Sequence, residues 1–261
     1  MKLFVISDTH SYFDEMKSAL DEAGFDPSNE NHWLIGCGDY FDRGDQSKEM
    51  YKYLMSIERK VLVKGNHDDM MIDMLERGYP RTHDYSNCTA KTLRHLAEDT
   101  SDKIAMYNKV SAKFHAIYDR MVEYFETENY IFVHSWIPLY QTDWKRQYQY
   151  LDNWRDSSEE EWQDARWHNP FQLAKLGLKP DKTIVFGHWH TSWPRAFYDF
   201  SSKEWGEKAD FSIYYGDGYI GIDGCTAYTG KVNVLVLEDD FLPQNEEHLN
   251  ANTEPQGTQP L

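Results

Sequence analysis

The sequence predicts an α/β fold built as one large domain. Near the amino end, short apolar runs alternate with segments whose apolar residues recur at helical spacing, which is typical of parallel βαβ units. The 261-residue chain is 40% hydrophobic and 15% aromatic, enough for a sizeable core. We expect one domain over residues 1–242. Residues 243–261 are rich in Gln, Asn and Pro, and we expect them to form a disordered tail.

The amino-terminal part of the chain contains alternating predicted strands and helices. Each strand is a short apolar run that ends at a polar or glycine-containing segment, and each helix has its apolar residues on one face. The strands are predicted at residues 2–6, 33–37 and 61–63, and the helices at residues 14–23 and 47–58.

A mainly helical insert is predicted over residues 69–130. Its apolar spacing indicates helices at residues 70–77, 89–96 and 102–125. The insert therefore separates the amino-terminal βαβ pattern from the strands that follow it.

The second half of the chain returns to short strands. Residues 130–133 and 183–186 are apolar runs of strand length, and residues 219–223 and 231–237 are predicted to be hairpin strands of a second sheet. Residues 141–170 are rich in Trp and Tyr. We interpret these aromatic residues as core packing rather than as substrate contacts.

The composition argues against several classes of protein. The formal net charge is −17 and the sequence pI is about 5.0. Such an acidic surface repels nucleic-acid backbones, so we expect no stable nucleic-acid binding. The cysteines Cys37, Cys88 and Cys225 form no CxxC pair, which favours a reducing compartment. The sequence shows neither a signal-peptide pattern nor an apolar stretch of membrane-spanning length, so we expect a cytoplasmic protein without a membrane partner.

Side chains that commonly bind metals follow several of the predicted strands. Parallel strands place their carboxyl ends on one side of a sheet, so these side chains can meet in space. Within Asp8-x-His10 and His188-x-His190, both side chains face the same way if the strand continues. Asp, His and Asn ligands suit Mn, Fe, Zn or Co rather than a thiolate zinc site, and there are too many for one ion. In chain order the candidates are Asp8, His10, Asp39, Asp42, Asn66, His67, His134, His188 and His190.

Taken singly, each of these pieces has a simpler structural explanation. Asp39 to Gly44 fits an Asp/Gly turn between a strand and a helix, and Asp68 fits a helix cap. A lone His134 fits a core or surface histidine. Because all the pieces occur at successive strand ends, we favour a common site.

Five motifs follow predicted strands in chain order: D-x-H at 8–10, G-D-x-x-D-R-G at 38–44, G-N-H-D at 65–68, a lone His134 and G-H-x-H at 187–190. Together and in this order, they resemble the motifs of the calcineurin-like metallophosphoesterase superfamily. The match runs from residue 4 to about residue 190. The Asp-Arg-Gly segment at 42–44 is similar to that of the branch that contains serine/threonine protein phosphatases, small phage and bacterial phosphatases and symmetrical diadenosine tetraphosphatases. The resemblance implies a sandwich of two mixed sheets flanked by helices.

The resemblance also implies a role for each candidate residue. A hydroxide activated by two metal ions would attack phosphorus, and Arg43 would hold the phosphate. His67, oriented by Asp42, would protonate the leaving oxygen. The implied ligands are Asp8, His10 and His190 for one ion and Asn66, His134 and His188 for the other, with Asp39 as the bridge. The implied substrate contacts are Arg43, Asn66, Lys64 and Arg166.

The sequence departs from the branch in two places. The phosphatase branch usually has Arg before Gly-Asn-His, whereas this chain has Lys64, which supplies charge without a planar fork. Many protein phosphatases of the branch lack the second His of G-H-x-H, whereas this chain has His190. Arg166 resembles only loosely an arginine that some members place over the phosphate. For Lys64 and Arg166, an ordinary ion pair is an equally good explanation.

These observations predict a metal-dependent phosphoesterase that hydrolyses phosphomonoesters, most like a small serine/threonine-type protein phosphatase. The first alternative is a nucleotide phosphohydrolase acting on diadenosine tetraphosphate or a cyclic nucleotide. The second is a non-catalytic metal-binding scaffold. The expected cofactors are two divalent ions, with manganese preferred and Fe, Zn, Co and Ni also compatible. The expected partner is a phosphorylated substrate, either a phosphoprotein or a nucleotide, and the sequence does not define the oligomeric state.

Overall fold

Two mixed β-sheets packed face to face form the centre of the computed structural model, which describes residues 1–98, 101–141 and 147–239. The predicted tail therefore lies outside the described residues. The strands are β1 (Lys2–Ile6), β2 (His32–Cys37), β3 (Lys60–Val63), β4 (Phe125–Glu126), β5 (Tyr130–Phe132), β6 (Leu139–Gln141), β7 (Tyr148–Tyr150), β8 (Thr183–Phe186), β9 (Tyr214–Gly216), β10 (Tyr219–Gly221) and β11 (Leu235–Glu238).

Helices cover the outer faces of the two sheets, and a short 3-10 turn spans Trp154–Asp156. None of the helices in the described ranges has the length and apolar character that crossing a bilayer requires. The α-helices are α1 (Phe13–Glu22), α2 (Ser47–Ser56), α3 (Asn66–Arg77), α4 (Thr82–Ser86), α5 (Thr89–Ala97), α6 (Lys103–Tyr118), α7 (Glu159–Ala165), α8 (Pro170–Lys175), α9 (Ser192–Phe197) and α10 (Thr226–Thr229).

Each large sheet has a group of parallel strands, with an antiparallel strand at one edge of the first sheet and at both edges of the second. The first sheet has the order β11-β1-β2-β3, in which β1, β2 and β3 are parallel and β11 is antiparallel to β1. The second sheet has the order β4-β5-β8-β10-β9, in which β5, β8 and β10 are parallel. A small antiparallel sheet joins β6 and β7. The predicted α/β class and the implied sandwich of mixed sheets are confirmed.

Alternation along β1 shows how the layers are divided. Leu3 and Val5 belong to the core between the sheets, together with residues of β8 and β10. Phe4 and Ile6 point to the opposite face and pack against the helices that follow β1, β2 and β3. The helices of the insert, α3 to α6, contribute to that same helical core, so the insert packs against the first sheet.

The aromatic residues of the second half divide into two groups. Trp154 and Trp162 are buried and stack with Tyr124 on the outer face of the second sheet, which agrees with core packing. Trp167 is different, because 55% of its surface is exposed. Trp144, from the same stretch, lies outside the described residues.

Two sequence-based predictions of elements were wrong. The helix predicted at residues 102–125 ends at Tyr118, because the backbone of Val122 exchanges hydrogen bonds with Leu62 and Lys64 and extends the edge of the first sheet. The strand predicted near residues 231–237 belongs to the first sheet rather than the second, because β11 pairs with β1.

Candidate metal centre

The carboxyl ends of the parallel strands of both sheets lie on the same side of the sandwich. The loop after β1 meets the loop after β8, where the backbone N–H of His188 donates to Asp8 Oδ2 over 2.8 Å. The loop after β2 meets the loop after β5, where His134 Nδ1 lies 2.8 Å from the carbonyl oxygen of Cys37. Residues 180 positions apart in the chain therefore share one site.

The side chains of the site converge through left-handed backbone turns rather than through continued strands. The condition under which strand alternation would orient Asp8-x-His10 and His188-x-His190 is not met, because β1 ends at Ile6 and β8 ends at Phe186. A positive φ is costly for residues other than glycine and commonly marks functional sites. The predicted site residues with a positive φ are Asp8, His10, Asp39, Asp42, Arg43 and His188.

The two carboxylate oxygens of Asp39 face different histidines. Oδ2 lies 3.8 Å from His10 Nε2, and Oδ1 lies 3.5 Å from His134 Nε2. Asp39 is buried, and although burial alone would raise its pKa, His134, His67 and His10 together hold that pKa well below its usual range. The carboxylate is therefore ionised and is shared by two sets of imidazoles.

His10 and His134 are oriented in the same way by backbone carbonyl groups. Nδ1 of His10 lies 2.9 Å from the oxygen of Phe41, and Nδ1 of His134 lies 2.8 Å from that of Cys37. A carbonyl oxygen only accepts, so each Nδ1 carries the proton and each Nε2 presents a lone pair. Among the described residues, buried His10 Nε2 has no hydrogen-bond partner.

The lone pair of His134 Nε2 faces an amide oxygen, which is itself an acceptor, and a second imidazole nitrogen. Asn66 Oδ1 lies 2.8 Å away and His188 Nδ1 lies 3.1 Å away. Burial, followed by the effect of His134, lowers the pKa of His188 to about 3, so its ring is neutral at neutral pH. Buried acceptor atoms that face one another need a cation between them. The donor set therefore fits a divalent metal ion.

Two groups of potential ligand atoms, each within 4.8 Å of one another, occur in the described part of the chain: His10, Asp39 and His67, and Asp39, His134 and His188. Asp8 lies beside the first group, with Oδ1 4.0 Å from His10 Nε2. His190 belongs to neither group, although it was predicted as a ligand with Asp8 and His10.

His190 lies at the edge of the site and contacts a neighbouring loop. Nδ1 lies 2.9 Å from Ser192 Oγ, Nε2 lies 3.5 Å from Glu204 Oε1, and the ring packs on Trp205. Burial lowers the pKa of His190 to about 4. The ring is therefore neutral at neutral pH, and Nε2 is the nitrogen that can bind a metal.

Asp42, His67 and Arg43 form a chain of contacts next to the first group. His67 Nδ1 lies 2.8 Å from Asp42 Oδ2, and Arg43 Nη2 donates to His67 Nε2 over 3.2 Å. Burial opposes protonation of His67, but the charge of Asp39 and the hydrogen bond to Asp42 raise its pKa above the usual value. Arg43 is exposed and can reach a ligand from solvent.

Sequence reasoning missed Thr89, Thr92 and Asp223 at the site, and it gave Asp68 only as a helix cap. Thr89 and Thr92 of α5 both donate to the carboxylate of Asp42, and their i, i+3 spacing on a predicted helix was the available signal. Asp68 accepts from the backbone N–H groups of Asp39 and Gly65. Asp223 follows β10, as the predicted residues follow the other strands, and burial raises its pKa to about 6.

Lys64 and Arg166 are both held in ion pairs. Lys64 Nζ lies 2.8 Å from Glu123 Oε1, and Arg166, which is only 2% exposed, pairs with Glu123 and lies 2.5 Å from Asp69 Oδ2. This arrangement matches the ordinary structural explanation given for these residues. Contact of either residue with phosphate stays a prediction.

Two glycines in the predicted motifs allow the loops to approach closely. A Cβ atom on Gly65 would collide with Asp39, and one on Gly187 would collide with Ser7 and Asp8. Both glycines therefore permit backbone to lie directly against a carboxylate of the site.

A carboxylate shared by two histidine groups, at the carboxyl ends of two facing sheets, defines a metallophosphoesterase-type centre. The sequence model of the calcineurin-like phosphoesterase family matches residues 1–192. The chain belongs to this family.

The curated relatives include several symmetrical bis(5'-nucleosyl)-tetraphosphatases. The protein from Hamiltonella defensa is 25% identical over 232 residues, covering 72% of this chain and 83% of the relative. Two further matches are shorter. The Glaesserella parasuis protein is 35% identical over 29% of this chain, and the Serratia proteamaculans protein is 41% identical over 26%. These two matches span only 28% and 24% of the relatives' own lengths.

Solved structures share the fold at low sequence identity. A crystal structure provisionally assigned as a diadenosine tetraphosphatase has a TM-score of 0.52 and 18% identity, covering 90% of this chain and 89% of that one. A serine/threonine phosphatase from Saccharomyces cerevisiae has a TM-score of 0.54 and 12% identity, and the match covers 94% of this chain and 82% of that one. At these identities the likeness concerns the fold alone.

Proposed function

We propose that the protein is a two-metal phosphoesterase that hydrolyses nucleotides, with dinucleoside polyphosphates such as diadenosine tetraphosphate as the substrate class. The observation that carries the proposal is the position of the Asp39 carboxylate, whose two oxygens face separate imidazole groups. The names of the curated relatives support the nucleotide substrate over the phosphoprotein that the sequence favoured. The Asp-Arg-Gly segment at residues 42–44 fits both substrates, because the branch that it resembles contains protein phosphatases and diadenosine tetraphosphatases.

The residues of this chain would hold two divalent ions in a shared site. Two bound ions would polarise the phosphoryl group and lower the pKa of an attacking water. The proposed ligands are Asp8, His10 and His190 on one side, Asn66, His134 and His188 on the other, and Asp39 between them. Manganese is the preferred metal, and the donor set also suits Fe, Zn, Co or Ni.

His67 is proposed as a proton donor rather than a ligand. Its Nδ1 is occupied by Asp42, and its Nε2 faces the Arg43 guanidinium, a cation that would repel a metal ion at that position. In the proposed reaction Arg43 turns to the phosphate as a planar donor, and His67 Nε2–H protonates the leaving oxygen. Asp42 holds the ring and stabilises its protonated form.

Metal analysis of wild type and Asp39→Asn tests the two-metal site. Wild type purified without chelator should carry two metals per chain, whereas Asp39→Asn should lose metal from both positions and lose hydrolysis of an aryl phosphate. Asp45→Asn is the matched control, because Asp45 lies in the same loop with its side chain 81% exposed. Full metal content and activity in Asp39→Asn would overturn the proposal. A metal-free, inactive wild type would favour the scaffold alternative.

A substrate panel with defined metals added back tests the substrate class. Diadenosine tetraphosphate should be hydrolysed with a higher kcat/KM than a phosphoserine peptide or a bis-aryl phosphate. A preference for the phosphopeptide would restore the protein-phosphatase interpretation.

A further inference from the structure

Two exposed tryptophans lie beside the metal centre, one next to each histidine of the loop after β8. The ring of Trp167 lies 6.3 Å from that of His188, edge to face, and the ring of Trp205 lies 4.5 Å from that of His190. Their exposed fractions are 55% and 48%. Large aromatic side chains exposed beside a binding site are costly to leave in water and commonly contact ligands.

Trp205 is tied to the metal loop by a chain of hydrogen bonds. Ser192 Oγ donates to the carbonyl oxygen of Glu204 over 2.8 Å and accepts from His190 Nδ1 over 2.9 Å. The loop that carries Trp205 is therefore fixed to the same hydroxyl group that orients His190.

Aromatic rings also surround Trp205. The ring of Tyr228 lies 5.2 Å away and that of Phe211 lies 6.0 Å away. The backbone N–H of Gly206 also donates to the hydroxyl of Tyr228 over 3.2 Å. Trp205 is therefore held in place by neighbouring rings and by its loop, while 48% of its surface stays exposed.

Trp167 is anchored in a corresponding way on the other side. Ser135, which directly follows His134, donates to the carbonyl oxygen of His168 over 2.7 Å. The segment that carries Trp167 is thus attached next to one metal-site histidine while the indole packs against another. Both tryptophans are positioned by residues within two positions of a predicted ligand.

We propose that Trp167 and Trp205 are stacking surfaces for the two bases of a dinucleoside polyphosphate whose phosphate chain lies over the metal centre. The inference rests on the proposed function and specifies how the bases are recognised. Base stacking on aromatic rings tolerates any base and needs no basic surface, which suits a chain of net charge −17. A substrate with a base at each end matches two platforms that contact His188 and His190.

The test compares a substrate that carries bases with a competitor that has none. The KM for diadenosine tetraphosphate and the inhibition constant of inorganic tripolyphosphate are measured for Trp167→Ala and Trp205→Ala with metals added back. Each substitution should raise the KM about 5- to 100-fold and change the inhibition constant less than about two-fold, because only the base contact is lost. Trp205→Phe should recover most of the affinity.

Phe200→Ala is the matched control, because Phe200 is 82% exposed in the same part of the chain and should leave both constants unchanged. An unchanged KM in both tryptophan variants, or an equal rise in both constants, would overturn the stacking role while leaving the proposed function intact. If wild type with metals does not hydrolyse diadenosine tetraphosphate at all, the proposed function fails and the stacking role fails with it.

Discussion

The hydroxyl group of Thr92 makes two hydrogen bonds to Asp42, donating to Oδ1 over 2.8 Å and accepting from the backbone N–H over 3.0 Å. Thr89 donates to the other carboxylate oxygen over 2.7 Å. Both threonines lie on α5 of the helical insert. The insert therefore holds the Asp42 carboxylate in place. Because that carboxylate is bonded to His67 Nδ1, the insert is connected through Asp42 to the proposed proton donor.

Thr92→Val should lower kcat for diadenosine tetraphosphate about 10- to 100-fold while metal content and KM stay close to wild type. The substitution keeps the shape of the side chain but removes both hydrogen bonds to Asp42. The Asp42 carboxylate is then no longer held in one orientation, so it no longer orients the His67 ring. Steady-state kinetics with metal analysis checks this. Thr92→Ser keeps the hydroxyl and should stay near wild type. A Thr92→Val enzyme with full kcat would show that the insert does not support the reaction.

His67→Asn should lower kcat most for substrates with poor leaving groups and should leave the metals bound. A proton donor matters most when the departing oxygen is basic, so the loss should shrink for activated aryl phosphates. The measurement is kcat against leaving-group pKa for wild type and variant. An equal loss across the series would contradict the proton-donor role, and loss of metal would instead identify His67 as a ligand of the first group.

The sequence predicted most of the site because its signals are local. Each ligand type directly follows an apolar strand, so the order of motifs was sufficient to name Asp8, Asp39 and His134. The orientation of these side chains depends on left-handed turns, which a pattern of residue types does not specify. Strand alternation could orient Asp8-x-His10 only if β1 continued beyond Ile6, where it ends.

Contacts between segments that are far apart in the chain could not be predicted from the sequence. The pairing of β11 with β1, and of Arg166 with Asp69, joins residues far apart in the chain. Asp223 follows a strand as the named residues do, yet it was missed because no motif surrounds it. The spacing of apolar residues also predicted a helix that extends beyond the end of α6 at Tyr118. The backbone pairing of Val122 that ends the helix is a tertiary contact, which the spacing does not show.

Arg166→Met should destabilise the protein without changing the KM for substrate. Arg166 is buried and pairs with Glu123 and Asp69. Among the described residues, its removal leaves Glu123 with only Lys64, and Asp69 with only the Tyr118 hydroxyl, as an ion-paired or hydrogen-bonded side-chain partner. A loss of about 3 kcal/mol is expected, which corresponds to a decrease in Tm of roughly 6–12 °C. Thermal unfolding and steady-state kinetics measure the two effects.

Arg155→Met is the control for the Arg166 variant, because Arg155 pairs with Glu126 at a more exposed position and should change Tm little. A large rise in KM for Arg166→Met with an unchanged Tm would support the phosphate contact that the family resemblance suggested. The ion-pair explanation would then be wrong.

Asp223→Asn should stabilise the metal-free protein at neutral pH, and the gain should disappear in acid. Burial raises the pKa of Asp223 from its ordinary value of 3.8 to about 6 in the folded state. Below the ordinary value, folded and unfolded chains both bind the proton and the variant has no advantage. As the pH rises through the folded pKa, wild type must ionise a buried carboxyl group and loses on the order of 3 kcal/mol.

The difference in unfolding free energy between Asp223→Asn and wild type, measured in chelator from pH 4 to pH 8, should therefore grow with pH. The amide keeps the acceptor for the backbone N–H of Cys225, which lies 2.7 Å from Oδ1, so the local turn is preserved. Burial, Asp223 and Asp39 together raise the pKa of Asp8. Because the variant lacks the negative charge of Asp223, the pKa of Asp8 should be lower in the variant than in wild type. Adding divalent metal should reduce the stability difference, since a nearby cation stabilises the ionised carboxylate. A difference that is constant across this pH range would show that Asp223 is already ionised in the folded protein.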